Sequence, residues 1–315
     1  MKKNVIVVAG PTATGKSALA VRLAKAFDGE VISADSMQIY RHMNIGSAKI
    51  CEEEAEGVPH HLIDIKEPTD EDFSVADYVN LAKEKIEDII SRGKVPIVAG
   101  GTGLYISSLV DNIEFTESVS SPQIRERLGK LALEKGNDFV HDMLKEIDPE
   151  MAEKVHANNI KRVIRAIEIF EVSGVTLTEQ NKRSKQNPSP YNFIMILLAG
   201  NREKMYERID NRVDKMIKDG LISEVETLVK MGCKREMQAM QGIGYKEVFD
   251  YLEGRITKEE CIELIKKNTR NFAKRQLTWF KRDKRYLWLD CEATDVIDDA
   301  IYYVTNKSMG DCRVL

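Results

Sequence analysis

Gly10-Pro11-Thr12-Ala13-Thr14-Gly15-Lys16-Ser17 carries the most specific chemistry in this chain. Two glycines enclosing four residues, then a lysine and a hydroxyl, give the spacing of a phosphate-holding turn. Backbone N–H groups of such a turn, and the N-terminus of the helix behind it, direct positive charge at an anion. In that pattern Lys16 neutralises terminal phosphate oxygens and Ser17 places its hydroxyl on Mg²⁺. A glycine turn with no ligand is the plain alternative, and the flanks argue against it. Val5-Ile6-Val7-Val8-Ala9 before the turn reads as a buried strand. Ala18-Leu19-Ala20-Val21-Arg22-Leu23-Ala24-Lys25 after it is built mostly from helix formers.

Two further segments place reactive groups at strand ends. An apolar run over 30–34 leads into Asp35-Ser36-Met37-Gln38. In open α/β sheets ligands sit at the carboxyl ends of strands, which brings Asp35 beside the phosphate turn. A carboxylate there either supports Mg²⁺ indirectly or accepts a proton; the competing reading is an N-cap for a following helix. A run over 95–99 ends in Gly100-Gly101-Thr102-Gly103, where an ordinary nucleotide-cleaving enzyme carries a metal-holding aspartate. Asp64, on a weaker run, is the other strand-borne candidate, so ATP hydrolysis has little support. The glycines are read as letting backbone approach a ligand, with Thr102 supplying a hydroxyl, against a plain strand-to-helix turn. His60 and His61 are adjacent, so an extended segment points them apart, and they read as structural residues.

The elements that position these groups form a P-loop NTPase-like α/β core with a mostly parallel sheet flanked by helices. Strands are expected at 5–9, 30–34, 61–65, 95–99, 193–199 and 286–289, with helices between most of them. Residues 77–91 have helical spacing, and Thr257 with Glu260 forms a capping box opening a long helix. Residues 116–192 hold no convincing strand. Helical spacing over 122–135, 139–147 and 158–173, followed by a polar stretch at 180–190, reads as a helical insertion bounded by 114–121 and 186–190. The division is 1–115 and 193–315 for the core and 116–192 for the insertion.

The chain has 315 residues and a net charge of −4, but the charge is uneven. Lys266, Lys267, Arg270, Lys274, Arg275, Lys281, Arg282, Lys284 and Arg285 are clustered, and Lys161-Arg162-Val163-Ile164-Arg165 forms a second basic site. Local field matters more than the total for binding polyanions, although each patch alone is equally well a solvated helix face. No apolar run is long enough to span a membrane. Five dispersed cysteines without C-x-x-C spacing read as reduced thiols. Met1-Lys2-Lys3 runs straight into the first strand, so a cytoplasmic protein is expected.

Taken in order, 10–17, Asp35-Ser36-Met37-Gln38-Ile39-Tyr40, Pro59-His60-His61-Leu62, Gly100-Gly101-Thr102-Gly103-Leu104-Tyr105, Lys161-Arg162-Val163-Ile164-Arg165-Ala166, Gly242-Ile243-Gly244-Tyr245-Lys246-Glu247 and Ala273-Lys274-Arg275-Gln276-Leu277-Thr278-Trp279-Phe280 resemble the bacterial tRNA dimethylallyltransferase (tRNA isopentenyltransferase) family. The likeness spans about residues 4–289 and is weakest over 114–151. It implies transfer of a five-carbon unit from dimethylallyl diphosphate to N6 of the adenosine 3′ of a tRNA anticodon, with Mg²⁺, by a monomer with no membrane partner. It further implies that residues 10–17 hold the diphosphate, that Asp35 is general base, and that Thr12 bonds the bridging oxygen or diphosphate. Asp35, Ser36, Met37 and Gln38 would meet the flipped adenosine. Thr102, Arg125, Lys161, Arg162, Val163, Ile164 and Arg165 would touch tRNA. Ser17 stands where threonine is common in the family, and the zinc finger of eukaryotic relatives has no counterpart here. The rival readings are an adenylate isopentenyltransferase, a small-molecule P-loop kinase and an RNA-binding module without chemistry.

Overall fold

The computed structural model describes residues 2–70, 72–113, 115 and 121–308. Residues 114 and 116–120, where the sequence places the first boundary of the insertion, lie outside the described residues, as does Cys312. The chain divides into two compact units, Met1–Leu109 with Pro190–Leu315, and Val110–Ser189.

The first unit is built on one six-stranded sheet. Its strands are β1 (Lys3–Ala9), β2 (Gly29–Ser33), β3 (His60–His61), β4 (Val95–Gly100), β5 (Tyr191–Ala199) and β6 (Leu287–Asp290). They lie in the order β3-β2-β4-β1-β5-β6, parallel at every pairing. The centre is β1, where Val5, Val7, Val8 and Ala9 are at 0% exposure, because a parallel strand covered on both faces needs an uninterrupted apolar run. Ile6 sits opposite Ile97 on β4 and Ile194 on β5. Parallel pairing puts the turns after β1, β2 and β4 on one edge, which makes that edge the place for a site.

Helices α1 (Lys16–Ala26), α2 (Glu52–Ala55), α3 (Val75–Ser91) and α4 (Gly103–Val110) belong to the first half of the core. Leu19, Ala20 and Leu23 of α1 pack with Ile6, Val8 and Ile97 in one cluster. Ser74 and Asp77 cap α3 reciprocally, which starts it slightly before the expected residue 77. The expected strand over 61–65 stops at His61, because Leu62 (φ 61°) and Asp64 (φ 56°) turn into the left-handed region.

The second unit is helical: α5 (Pro122–Lys135), α6 (Asn137–Ile147), α7 (Pro149–Lys154), α8 (Ile160–Ser173) and α9 (Leu177–Gln186). Leu128, Val140, Leu144, Met151, Val163 and Ile167 form its core. The stretch 180–190, read as a polar stretch, is in large part helix α9. Thr176 accepts the Glu179 N–H and Glu179 bonds back, so a capping box starts a helix whose residues are nearly all polar.

The chain then returns through α10 (Arg202–Asp219), α11 (Leu221–Lys230), α12 (Tyr245–Leu252), α13 (Lys258–Phe280) and α14 (Val296–Ser308). The Thr257–Glu260 box opens α13 as expected, and Cys261, Ile265, Ala273, Gln276 and Phe280 are its buried side. Ala300 and Val304 of α14 join the cluster around Leu19 and Leu23.

Candidate active site

Residues 10–17 connect β1 to α1 at the carboxyl edge of the sheet. The turn is held largely by its own atoms and by two later helices. Thr14 donates its hydroxyl to Pro11 O (2.9 Å), so that hydroxyl is spent on the loop. Lys16 Nζ lies 2.5 Å from the same carbonyl. From α10, Arg208 Nε donates to Ala13 O (3.0 Å) and Arg212 reaches Thr12 Oγ1 (3.4 Å). From α13, Gln276 Oε1 accepts the Thr12 N–H at 3.0 Å, while its Nε2 donates to Gly101 O at 2.9 Å. Gln276 is 6% exposed and ties the phosphate turn to the turn after β4.

Desolvation pushes the Lys16 amine down to about 8, and Arg212 adds to the drop. Burial also draws Arg212 below the usual guanidinium range, with Asp35 opposing it. Two crowded cations, offset only in part by Asp35, make a site ready for a polyanionic ligand.

Asp35 follows β2. No helix starts after it, so the N-cap reading fails; Oδ1 accepts the Met37 N–H at 2.8 Å and closes a turn instead. Among the described residues Oδ2 has no protein partner. Thr102 lies between β4 and α4, and its hydroxyl accepts the Ser36 N–H at 3.0 Å. Gln38 Oε1 accepts from Ser33 Oγ at 3.1 Å.

These residues line two adjoining cavities within the first unit. The smaller, about 110 Å³, is bordered by Thr12, Lys16, Ser17, Asp35, Gln38, Gly100, Gly101, Arg212 and Gln276. The larger, about 430 Å³, is bordered by Thr12, Asp35, Ser36, Met37, Thr102, Arg212, Phe272 and Arg275, with Ile209, Val213 and Met216 as apolar wall. Thr12, Asp35 and Arg212 face both. The sequence reading did not name Arg208 or Arg212, and it quoted Gln276 in a motif without giving it a role at the site. The available signal was Arg208 and Arg212 four apart on α10, each next to the buried stripe residues Ile209 and Val213.

The glycines after β4 serve the protein's own packing. A Cβ on Gly100 would lie 2.2 Å from Ala34 O, one on Gly101 2.3 Å from Gln276 Nε2, and one on Gly103 2.4 Å from Trp279 Cδ1. Gly100 and Gly101 also border the smaller cavity, so the same two residues pack against the protein on one side and face the cavity on the other. Asp64, the other strand-borne candidate, pairs with Lys49 Nζ at 2.6 Å and borders neither of these two cavities. His61 pairs with Glu30 (2.7 Å) while His60 bonds Val58 O (2.8 Å), so the two histidines do take separate partners.

Ser17 and Asp35 border the same cavity, and among the described residues no group of three His, Cys, Asp or Glu is placed to hold a metal. That donor set fits Mg²⁺, which keeps several waters and takes substrate phosphate oxygens as ligands.

Arg125, Lys161, Arg162, Val163, Ile164 and Arg165 lie in the helical unit. Val163 is at 0% exposure in its core and Ile164 packs against it, so Val163 is corrected from a tRNA contact to a core residue. Lys161 and Arg162 are exposed and, among the described residues, make no ion pair. Arg125 and Arg165 converge on Glu168, at 2.8 Å and 2.7 Å. Glu168 is fully buried, and burial alone would raise its pKa; Arg165, the Ser121 N–H and Arg125 outweigh it and hold the carboxyl low. Near α13, Lys266 pairs with Asp214 and Arg270 with Asp210, whereas Lys267, Lys274, Lys281, Arg282 and Lys284 stand exposed.

The IPP transferase family model matches residues 38–283. The tRNA dimethylallyltransferase of Acetivibrio thermocellus is 49% identical over 305 residues, covering 96% of this chain and 97% of the relative. The chain belongs to the tRNA dimethylallyltransferase family. The member from Carboxydothermus hydrogenoformans is 50% identical over 290 residues, covering 92% and 93%. Among solved structures, the tRNA isopentenylpyrophosphate transferase of Bacillus halodurans is 43% identical with a TM-score of 0.73, covering 98% of this chain and 97% of that one. A eukaryotic dimethylallyltransferase solved acting on tRNA is 30% identical with a TM-score of 0.81, covering 98% and 80%. The family's fold agrees with the parallel α/β sheet described above. Among the described residues no helix is long and apolar enough to cross a membrane.

Proposed function

We propose that this chain transfers the dimethylallyl group of dimethylallyl diphosphate to N6 of the tRNA adenosine just 3′ of the anticodon, position 37, releasing diphosphate. The observation that carries the reading is the junction of the two cavities at Thr12, Asp35 and Arg212. The small polar cavity takes the diphosphate and the larger takes an adenosine flipped from its stack. The reacting carbon then lies between them.

Cleavage of the allylic C–O bond builds negative charge on the departing diphosphate. Lys16, Arg212 and the N-terminus of α1 face that charge, and Thr12 Oγ1 is placed to donate to its oxygens. Mg²⁺, held by Ser17 and the diphosphate, would neutralise part of the leaving group's charge. The adenine amine is a weak nucleophile because its lone pair is delocalised into the ring, and it must lose a proton as the C–N bond forms. With Oδ1 engaged by Met37, Oδ2 of Asp35 accepts that proton. Lys161 and Arg162 supply exposed cations for anticodon stem-loop phosphates, and Arg125 and Arg165 add two more, oriented by Glu168. A monomer acting in the cytoplasm, where tRNA is processed, completes the reading.

The test is radiolabelled dimethylallyl diphosphate with unmodified tRNA, Mg²⁺ and no ATP, with AMP as the comparison acceptor. Label should enter tRNA, and Asp35→Asn should lose at least ~10²-fold in turnover while still binding tRNA. Label entering AMP alone, or a requirement for ATP, overturns the proposal.

A further inference from the structure

The loop over 43–49 has no regular secondary structure, yet it walls both cavities: Gly46 and Ser47 face the larger, Ser47 and Ala48 the smaller. Its own turns, Ala48 N–H to Ile45 O and Lys49 N–H to Asn44 O, are anchored from outside. Glu224 on α11 accepts the N–H groups of Asn44 and Ile45 at Oε2, both at 2.8 Å, and that of Gly46 at Oε1, at 3.1 Å. The Tyr245 hydroxyl donates to Glu224 Oε1 (2.8 Å) and accepts the Ser47 N–H (3.1 Å). Successive N–H groups converging on one point make an anion-binding concavity, and here the protein's own carboxylate fills it. Residue 46 must be glycine, since a Cβ would stand 2.5 Å from the Tyr245 ring. The Gly242–Glu247 segment thereby acquires a purpose: Glu247 bonds the Gly244 N–H at 2.7 Å and starts α12, which delivers Tyr245.

The inner side of the loop meets the site. Gln38 Nε2 donates to Ala48 O (3.3 Å) and Ser47 O (3.5 Å), while Ser33 Oγ donates to Gln38 Oε1. The two loop carbonyls can only accept, which turns the NH₂ toward them and leaves Oε1 to accept from the serine hydroxyl, so the amide has one orientation. The loop decides where that amide sits, and Glu224 decides where the loop sits.

We propose that Glu224 is a positioning residue for the acceptor base: through loop 44–48 it fixes the Gln38 amide next to Asp35, and so the alignment of the exocyclic amine with its base. The inference rests on the reading of Asp35 and Gln38 as the groups that meet the adenosine. A small displacement of a reacting group costs up to ~10²-fold in rate, so the effect belongs in kcat.

The experiment is steady-state transfer from dimethylallyl diphosphate to an unmodified anticodon stem-loop RNA, using full-length Glu224→Gln, Glu224→Asp, Tyr245→Phe and Asp35→Asn. Glu224→Gln puts an NH₂ against the loop's N–H groups; kcat should fall ~10–100-fold, and KM for the prenyl diphosphate should rise less than that because Ser47 and Ala48 also border the smaller cavity. Tyr245→Phe should show a smaller loss of the same kind, and Glu224→Asp should recover part of the rate. Wild-type kcat in Glu224→Gln overturns the inference. So does a joint loss of kcat, both KM values and melting temperature, which would mark a purely structural anchor. An inactive Asp35→Asn beside a fully active Glu224→Gln refutes the Glu224 role alone, whereas an active Asp35→Asn refutes the reading beneath it.

Discussion

Two glycine-rich turns leave neighbouring strands of the same sheet, and they use glycine for different purposes. In the turn after β1, Gly10 is packed against Leu198 O, 2.5 Å from where a side chain would begin, but Gly15, at the lysine end, has φ +80° and nothing within 4 Å. In the turn after β4, Gly100, Gly101 and Gly103 each sit against another part of the first unit, at Ala34, Gln276 and Trp279. The first turn is open at Gly15, ahead of Lys16; the second is packed at each glycine on its side-chain side, while Gly100 and Gly101 still border the smaller cavity. Glycine in a strand-end turn therefore does not by itself identify a ligand, and neighbouring chemistry has to decide. Lys16 and Ser17 decide it for the first turn.

The contrast can be attacked most strongly at Lys16. Lys16→Ala should lower kcat/KM for the prenyl diphosphate by ~10²–10³-fold, the usual cost of removing one charge-stabilising donor, while affinity for tRNA stays unchanged. Equal losses of donor and RNA binding would dissolve the division of labour. Gly100→Ala comes next: overpacking against the Ala34 backbone should cost about 1–3 kcal/mol in a denaturant titration. A variant as stable as the parent would show that the second turn has space after all. The third test uses pH. With the free enzyme's Lys16 titrating at about 8, the amine is charged below that pH and neutral above it, so kcat/KM for the prenyl diphosphate should fall ~tenfold per unit on the alkaline side. Lys16→Arg should carry that limb upward, and an identical profile would assign the titration elsewhere. Smallest is Gly15→Ala, where a left-handed φ costs ~1 kcal/mol and the new methyl meets no neighbour. Its stability loss should be below that of Gly100→Ala, and the reverse ranking would overturn the comparison.

Much of this architecture was legible before any coordinates. The continuous apolar runs gave five strands within two residues at each end, and α5 begins and ends at the expected residues. The exceptions have physical causes. β3 is short because Leu62 and Asp64 adopt positive φ, which an apolar run does not reveal. α9 was read only as a polar stretch because of its composition, although Thr176 and Glu179 carry the same capping signature that revealed α13. In the site, the residues from local motifs, Thr12, Lys16, Ser17, Asp35 and Gln38, do gather around one cavity. Arg212 and Gln276 arrive from helices some two hundred residues later, and only the fold brings them there. Val163 shows the opposite error. Its motif neighbours are cationic, but its place beside Ala166 and Ile167 on the apolar stripe of α8 buries it.

Gln276 occupies the Thr12 amide before any ligand arrives. The scaffold, and not the substrate, therefore keeps the mouth of the cradle in shape. Such preorganisation means that incoming diphosphate orders little backbone on entry, so more of its binding energy remains to favour the separating charges of the transition state.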